Sequence, residues 1–206
     1  MRISQSGGLA GRVVLLIGCS VAASSAQATY LETLNEQGAD VVATGSGTFD
    51  LSALTFDSHN VNSLPFLNPK QALLGIGTTT GADGGDDAYT GVDAPANFGS
   101  GPATNASNGS GDPVSIVGIG LQIGLLVPPG YTSGTPLMSG AVWDNASFVS
   151  LGVTPGIYEW TWGTGAHADS FVLEINVVPE PSALALLTTG VAGLAVVGLG
   201  RGRRQT

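Results

Sequence analysis

Val117-Gly118-Ile119-Gly120-Leu121-Gln122-Ile123-Gly124-Leu125-Leu126-Val127 places an apolar side chain at every odd position and sets Gly118, Gly120, Gln122 and Gly124 between them. Successive side chains of a strand point to opposite faces, so this period of two predicts one strand with a core face and a nearly bare face. The bare face would let another backbone approach closely or mark bulges, and Pro128-Pro129-Gly130 ends the run. Between the two ends of the chain no long apolar stripe at helical spacing occurs; glycine, serine, threonine and asparagine punctuate short runs of β-formers. The expected fold is all-β, a sandwich or jelly-roll-like domain.

Working outward, Thr154-Pro155-Gly156 makes a turn ahead of residues 157–162, a loop spans residues 163–170, and residues 171–178 form a second β run. This reads as a hairpin. Alternation puts Tyr158, Trp160 and Trp162 on one face of the first strand and Phe171, Leu173, Ile175 and Val177 on one face of the second. The expected register pairs Trp162 with Phe171, Trp160 with Leu173 and Tyr158 with Ile175, and so sets Glu159 opposite Glu174. Upstream, residues 41–56 contain strand-like pieces around Gly45-Ser46-Gly47, and residues 71–76 supply a shorter one. Residues 78–113 read either as a long loop or as several strands with large turns.

Charge is distributed unevenly. The 206 residues include 15 acidic and 6 basic side chains. Arg2, Arg12, Arg201, Arg203 and Arg204 lie at the two ends, so Lys70 alone faces 15 carboxylates between Glu32 and Glu180. A nucleic-acid partner is excluded, because that affinity needs clustered Lys and Arg to neutralise the phosphates.

At the N-terminus Arg2 and Arg12 precede the apolar run Val13-Val14-Leu15-Leu16-Ile17-Gly18-Cys19-Ser20-Val21-Ala22-Ala23, followed by Ala26-Gln27-Ala28. Basic flank, short hydrophobic stretch and small-x-small exit are the parts of a secretory signal peptide, and the run is too short to span a bilayer. Residues 1–28 are therefore expected to be removed after Ala28, with Ala26 and Ala28 forming the exit. Leu16-Ile17-Gly18-Cys19 resembles a bacterial lipobox and offers a rival exit that would leave Cys19 acylated. The short hydrophobic run ahead of that cysteine favours the downstream site. Cleavage after Ala28 leaves a chain without cysteine, held by packing.

At the C-terminus Val178-Pro179-Glu180-Pro181-Ser182 precedes an uncharged stretch, residues 183–200, and then Arg201-Gly202-Arg203-Arg204-Gln205-Thr206. As a helix this stretch rises about 27 Å, close to the roughly 30 Å hydrocarbon core. Leu184, Leu186, Leu187, Val191, Leu194, Val196, Val197 and Leu199 supply roughly −2 to −5 kcal/mol of insertion free energy, so a transmembrane helix is expected with little margin. The basic tail, residues 201–204, keeps the C-terminus cytoplasmic and the middle of the chain outside. Pro179 and Pro181 donate no backbone hydrogen bond and favour extended neighbours, leaving a peptide that a protease can grip.

Taken together, Val178-Pro179-Glu180-Pro181, the apolar stretch and the terminal arginines resemble the PEP-CTERM sorting signal of exopolysaccharide-producing Gram-negative bacteria. The resemblance covers residues 178–206. It implies recognition by an exosortase-type membrane protease that cuts near the motif, and association with exopolysaccharide. Residues 29–177 are then the exported domain. Val127-Pro128-Pro129-Gly130-Tyr131, Trp143-Asp144-Asn145-Ala146 and Gly156-Ile157-Tyr158-Glu159-Trp160-Thr161-Trp162-Gly163 resemble the phrasing of exported domains found ahead of this signal. No activity comes with that likeness.

Motifs for chemistry are sparse. Gly-x-Ser-x-Gly, Gly-x-Gly-x-x-Gly and the P-loop pattern are absent. His59 and His167 lie in no zinc spacing and read as loop residues. Asp83, Asp86 and Asp87 offer oxygen ligands for Ca²⁺ on a glycine-rich loop, but the spacing is not that of an EF-hand, and a solvated acidic turn is the preferred reading. Tyr158, Trp160 and Trp162 could stack on sugars, but the same spacing serves a core.

The expected protein is thus a non-catalytic cell-surface or extracellular-matrix protein with no cofactor and no metal. It would pass through the inner membrane as a single-span precursor and have a processing protease, the membrane and exopolysaccharide as partners. The alternative is a carbohydrate-active domain, a lectin-like binder or a glycosidase using Glu159 and Glu174, since paired carboxylates about 5–5.5 Å apart carry out retaining glycoside hydrolysis.

Overall fold

A computed structural model describes residues 29–80 and 84–176. The described chain is all-β, with strands β1 (Thr29–Gln37), β2 (Asp40–Gly47), β3 (Thr55–Val61), β4 (Phe66–Asn68), β5 (Leu73–Ile76), β6 (Asp86–Val92) and β7 (Thr104–Asn105) in its first half. They are followed by β8 (Asn108–Gly111), β9 (Val114–Ile119), β10 (Gln122–Val127), β11 (Leu137–Trp143), the short helix α1 (Phe148–Leu151), β12 (Gly156–Trp162) and β13 (Asp169–Ile175). Among the described residues no helix is long and apolar enough to cross a membrane.

The strands form two sheets, ordered β12-β13-β1-β2-β11-β8 and β3-β6-β10-β9-β5-β4-β7. Both contribute to one hydrophobic core, Tyr30, Leu34, Val41 and Phe171 from the first and Leu67, Leu74, Ile116 and Leu125 from the second. The three tryptophans tie the layers together. Trp143, Trp160 and Trp162 are buried in the first sheet, and their indole N–H groups donate to the carbonyls of Thr104 (3.2 Å), Ala72 (3.1 Å) and Asp50 (2.9 Å), which lie outside that sheet. A buried indole needs such a partner, so each ring is fixed in orientation as well as packed. The row Tyr158, Trp160 and Trp162 therefore serves the core, with Tyr158 partly buried at its edge.

Two expectations need correction, and a third is resolved in favour of one of its alternatives. Residues 117–127 are two strands of a hairpin: Ile119 faces Gln122, and Gly120-Leu121 forms the turn. Gly120 has φ +59 at the first turn position, where a two-residue type II′ loop calls for glycine. Turning there switches the parity of the core face, which becomes Val114 and Ile116 on β9 and Leu125 and Val127 on β10. Leu121 protrudes fully into solvent. A bare-face glycine does admit a close neighbour at Gly124, where an added Cβ would lie 2.6 Å from the carbonyl oxygen of Tyr89.

The β12–β13 hairpin forms with a register two residues away from the expected one. Trp160 faces Phe171, Tyr158 faces Leu173 and Trp162 faces Asp169. An even-numbered slip leaves every side chain on its own face, so alternation cannot detect it. Residues 78–113 include β6, β7 and β8, so the long-loop alternative gives way to strands joined by large turns.

The first and last strands are parallel neighbours. Thr29 pairs with Ser170 and Leu34 with Ile175, and the amide of Asn176 donates to the carbonyl of Leu34 at 3.0 Å. Asn176 itself adopts the left-handed region, φ +51, and so turns the chain off the strand. The described chain therefore begins at one pole of the first sheet and leaves at the other.

Candidate functional site

Two histidine–carboxylate pairs arise where the fold brings distant segments together. On β3, the Nδ1 atom of His59 lies 2.6 Å from Asp87 Oδ1, while Asp87 Oδ2 accepts the amide of Gly130 at 2.8 Å. His59 is a strand residue and not a loop residue, and its ring packs 4.5 Å from that of Phe56. The neighbouring Asp86 belongs to a different group. It accepts hydrogen bonds from the hydroxyls of Ser63 and Thr80, its other oxygen has no partner, and burial raises its pKa. Consecutive strand residues point to opposite faces, so Asp86 and Asp87 cannot close around one ion. Both are buried, which corrects the expectation of a solvated acidic turn. Asp83 lies outside the described residues.

The second pair joins His167 Nδ1 to Asp50 Oδ2 at 3.1 Å. His167 ends a 3₁₀ turn, Gly165–His167, and keeps its loop position but gains a partner. Hydrogen bonds from Ser52 and His167 hold the Asp50 carboxyl below its usual pKa. Asp169 beside it is buried and accepts the amides of Asp50 (2.6 Å) and Ser170 (2.7 Å). Burial pushes its pKa up to about 6, because desolvation outweighs those two amides and the charge of Asp50 adds to it. Each imidazole presents Nδ1 to a carboxylate, and neither has a hydroxyl among its described partners. Among the described residues no group of three or more His, Cys, Asp or Glu is placed to hold a metal ion.

A third polar feature sits inside the core. Glu32 on β1 shares the buried face with Tyr30 and Leu34, opposite Gly45 on β2 and Leu173 on β13. It is fully buried, and both carboxyl oxygens lack a partner among the described residues. Burial raises the Glu32 pKa to about 8, so its neutral form belongs to the fold. Its place in the alternation Tyr30, Glu32, Leu34 was a signal for a carboxyl on the core face. The two histidine pairs had no comparable signal, since their partners are remote in sequence.

The carboxylates expected to oppose each other do not. Glu159 faces Val172 and Glu174 faces Ile157, so the direct Glu159–Glu174 opposition is absent. A cleft of about 160 Å³ places Glu159 instead near Trp162 and Asp169. At the pole where the chain leaves, a larger cleft of about 410 Å³ opens between Glu36, Gly38 and Ala39 on one side and Asn145, Ala146, Ser147 and Ser150 on the other. It is braced by the Phe148 amide donating to Glu36 Oε1 (2.6 Å) and the Asn145 amide donating to Asp40 Oδ1 (2.9 Å). The signal-peptide exit at Ala26 and Ala28, the sorting motif Val178, Pro179, Glu180 and Pro181, the span of residues 183–200 and the tail Arg201, Arg203 and Arg204 lie outside the described residues. No family model matches the chain, and neither a curated protein nor a solved structure is similar to it.

Proposed function

We propose that the chain is the precursor of an exported, non-catalytic surface or matrix protein: a sandwich-type β-domain between a removable leader and a PEP-CTERM sorting signal. The observation that carries this reading is the fit between fold and signals. Strand β1 includes Thr29, the residue after Ala28, and β13 ends at Ile175, just ahead of Val178. The sheets and the core formed by the described residues lie between the two segments that read as export signals.

On this reading the arginine tail holds the precursor in the inner membrane with its C-terminus inside, and an exosortase-type protease releases the domain to the envelope or its exopolysaccharide. Mass spectrometry of both ends of the mature protein tests it. The expected product begins at Thr29 and lacks Arg203 and Arg204. Replacing Pro179, Glu180 and Pro181 by alanine should leave the precursor uncut; unchanged maturation of that variant rejects the reading. A glycan-binding and hydrolysis assay addresses the carbohydrate-active alternative, which gains support only if binding or turnover is saturable and abolished by Glu159→Gln.

A further inference from the structure

The chain holds a single Asp-Pro bond, Asp112-Pro113, in the connection between β8 and β9. Such a bond carries the means of its own breakage. The aspartate carboxyl can close a five-membered ring on its own backbone carbonyl, and the proline nitrogen, a tertiary amide without N–H, then leaves as a secondary amine. In a flexible chain both events wait on chance alignment.

In the fold the atoms around this bond are held. The Asp112 amide donates to the Met138 carbonyl and the Met138 amide donates to Asp112 Oδ2, each at 2.8 Å. The carboxyl is thus fixed by one oxygen, while Oδ1 has no hydrogen-bond partner among the described residues. The preceding carbonyl, of Gly111, accepts the amide and the hydroxyl of Thr78 at 3.2 and 2.7 Å. On the Asp112 carbonyl itself the Ser139 hydroxyl donates at 2.6 Å, and Gly77 lies so close against the same carbonyl that a Cβ there has no room. Ser139 is buried, and a fixed donor shielded from water stabilises charge on an oxygen more strongly than water does.

We infer that Asp112-Pro113 is a self-cleavage site, with the Asp112 carboxyl as nucleophile and the Ser139 hydroxyl holding the charge that develops on the scissile carbonyl oxygen. An oxygen of the acid-form carboxyl bonds to the Asp112 carbonyl carbon, and its proton passes to the Pro113 nitrogen. The C–N bond breaks, leaving a cyclic anhydride at Asp112 and a free secondary amine at Pro113. Water then opens the anhydride, so the net change is hydrolysis by one water. It happens once per chain, in cis, and goes beyond the reading of the two termini without resting on it.

The cut leaves the described fold assembled. In the first sheet β1, β2 and β8 belong to one fragment and β11, β12 and β13 to the other; the second sheet is divided between β3 to β7 and the pair β9 and β10. The pairings of β1 with β13, β2 with β11, β6 with β10 and β5 with β9 all cross the cut. The fragments stay interlocked, and the break shows only after denaturation.

The test incubates the purified full-length chain in neutral buffer, folded and unfolded in urea, and follows new termini by mass spectrometry under denaturing conditions. The folded chain should yield fragments meeting at residues 112 and 113 faster than the unfolded one. Asp112→Asn keeps an acceptor for the Met138 amide but lacks the carboxyl, and should abolish cleavage. Ser139→Ala should slow it by roughly 10²-fold, the scale on which one oxyanion donor acts. Circular dichroism checks that each variant folds, and the comparison of folded with unfolded native chain needs no variant. If no terminus appears at Pro113, or the folded chain is cut no faster than the unfolded one, the inference is overturned, since the bond is then inert or shows only the ordinary lability of any Asp-Pro link. Undiminished cleavage of Asp112→Asn, or of a folded Ser139→Ala, overturns it as well.

Discussion

Glu32 is the residue whose chemistry the fold constrains most. Unfolded, it ionises near 4.5; folded, near 8, because burial strips the charge of solvation and neither oxygen has a hydrogen-bond partner among the described residues. The native state thus binds the extra proton between those values. Its contribution to stability is whole below about 4.5 and is lost as pH rises through about 8, a change of about 5 kcal/mol across the window. Urea titrations across that range should show the fall, and Glu32→Gln should flatten it. Trp160 tests a different bond. Trp160→Phe keeps a ring in the core but orphans the Ala72 carbonyl, so thermal or urea unfolding should report a loss of about 1–3 kcal/mol. Core membership of Trp160 and Trp162 was legible from alternation, whereas the pairs His59–Asp87 and His167–Asp50 were not. Composition marks Asp86 and Asp87 as part of an acidic, glycine-rich turn, yet strand pairing buries both, one against hydroxyls and the other against an imidazole.

Among the elements, the β9–β10 hairpin shows where periodicity stops being informative. Apolar residues at every second position describe one long strand or two short ones equally well, and only the conformation of Gly120 separates the cases. Gly120→Ala should cost about 1–2 kcal/mol, since its φ of +59 disfavours any Cβ. Replacing the protruding Leu121 by lysine should change stability by less than about 0.5 kcal/mol. A comparison of melting temperatures checks both. The same limit explains the β12–β13 register: faces were readable, partners were not, and the opposed glutamates expected from sequence were a product of that missing information. Strand β1 has turn residues at one end only and a carboxyl in its apolar row, so alternation alone does not mark it as a strand.

At the scale of the molecule, the all-β class was visible in the chain, but the order of strands was not, because it depends on contacts between remote segments. β13 lies between β12 and β1 and completes the pairing of both. A chain ending before Asp169 should therefore lose its cooperative urea transition, a result that circular dichroism would report. The adjacency of β1 and β13 also sets a schedule. On the proposed route the polypeptide is threaded outward from its N-terminus, so β1 arrives in the new compartment with one flank unmatched until almost the whole domain has followed. On that route the first sheet is completed only when its last strand has followed.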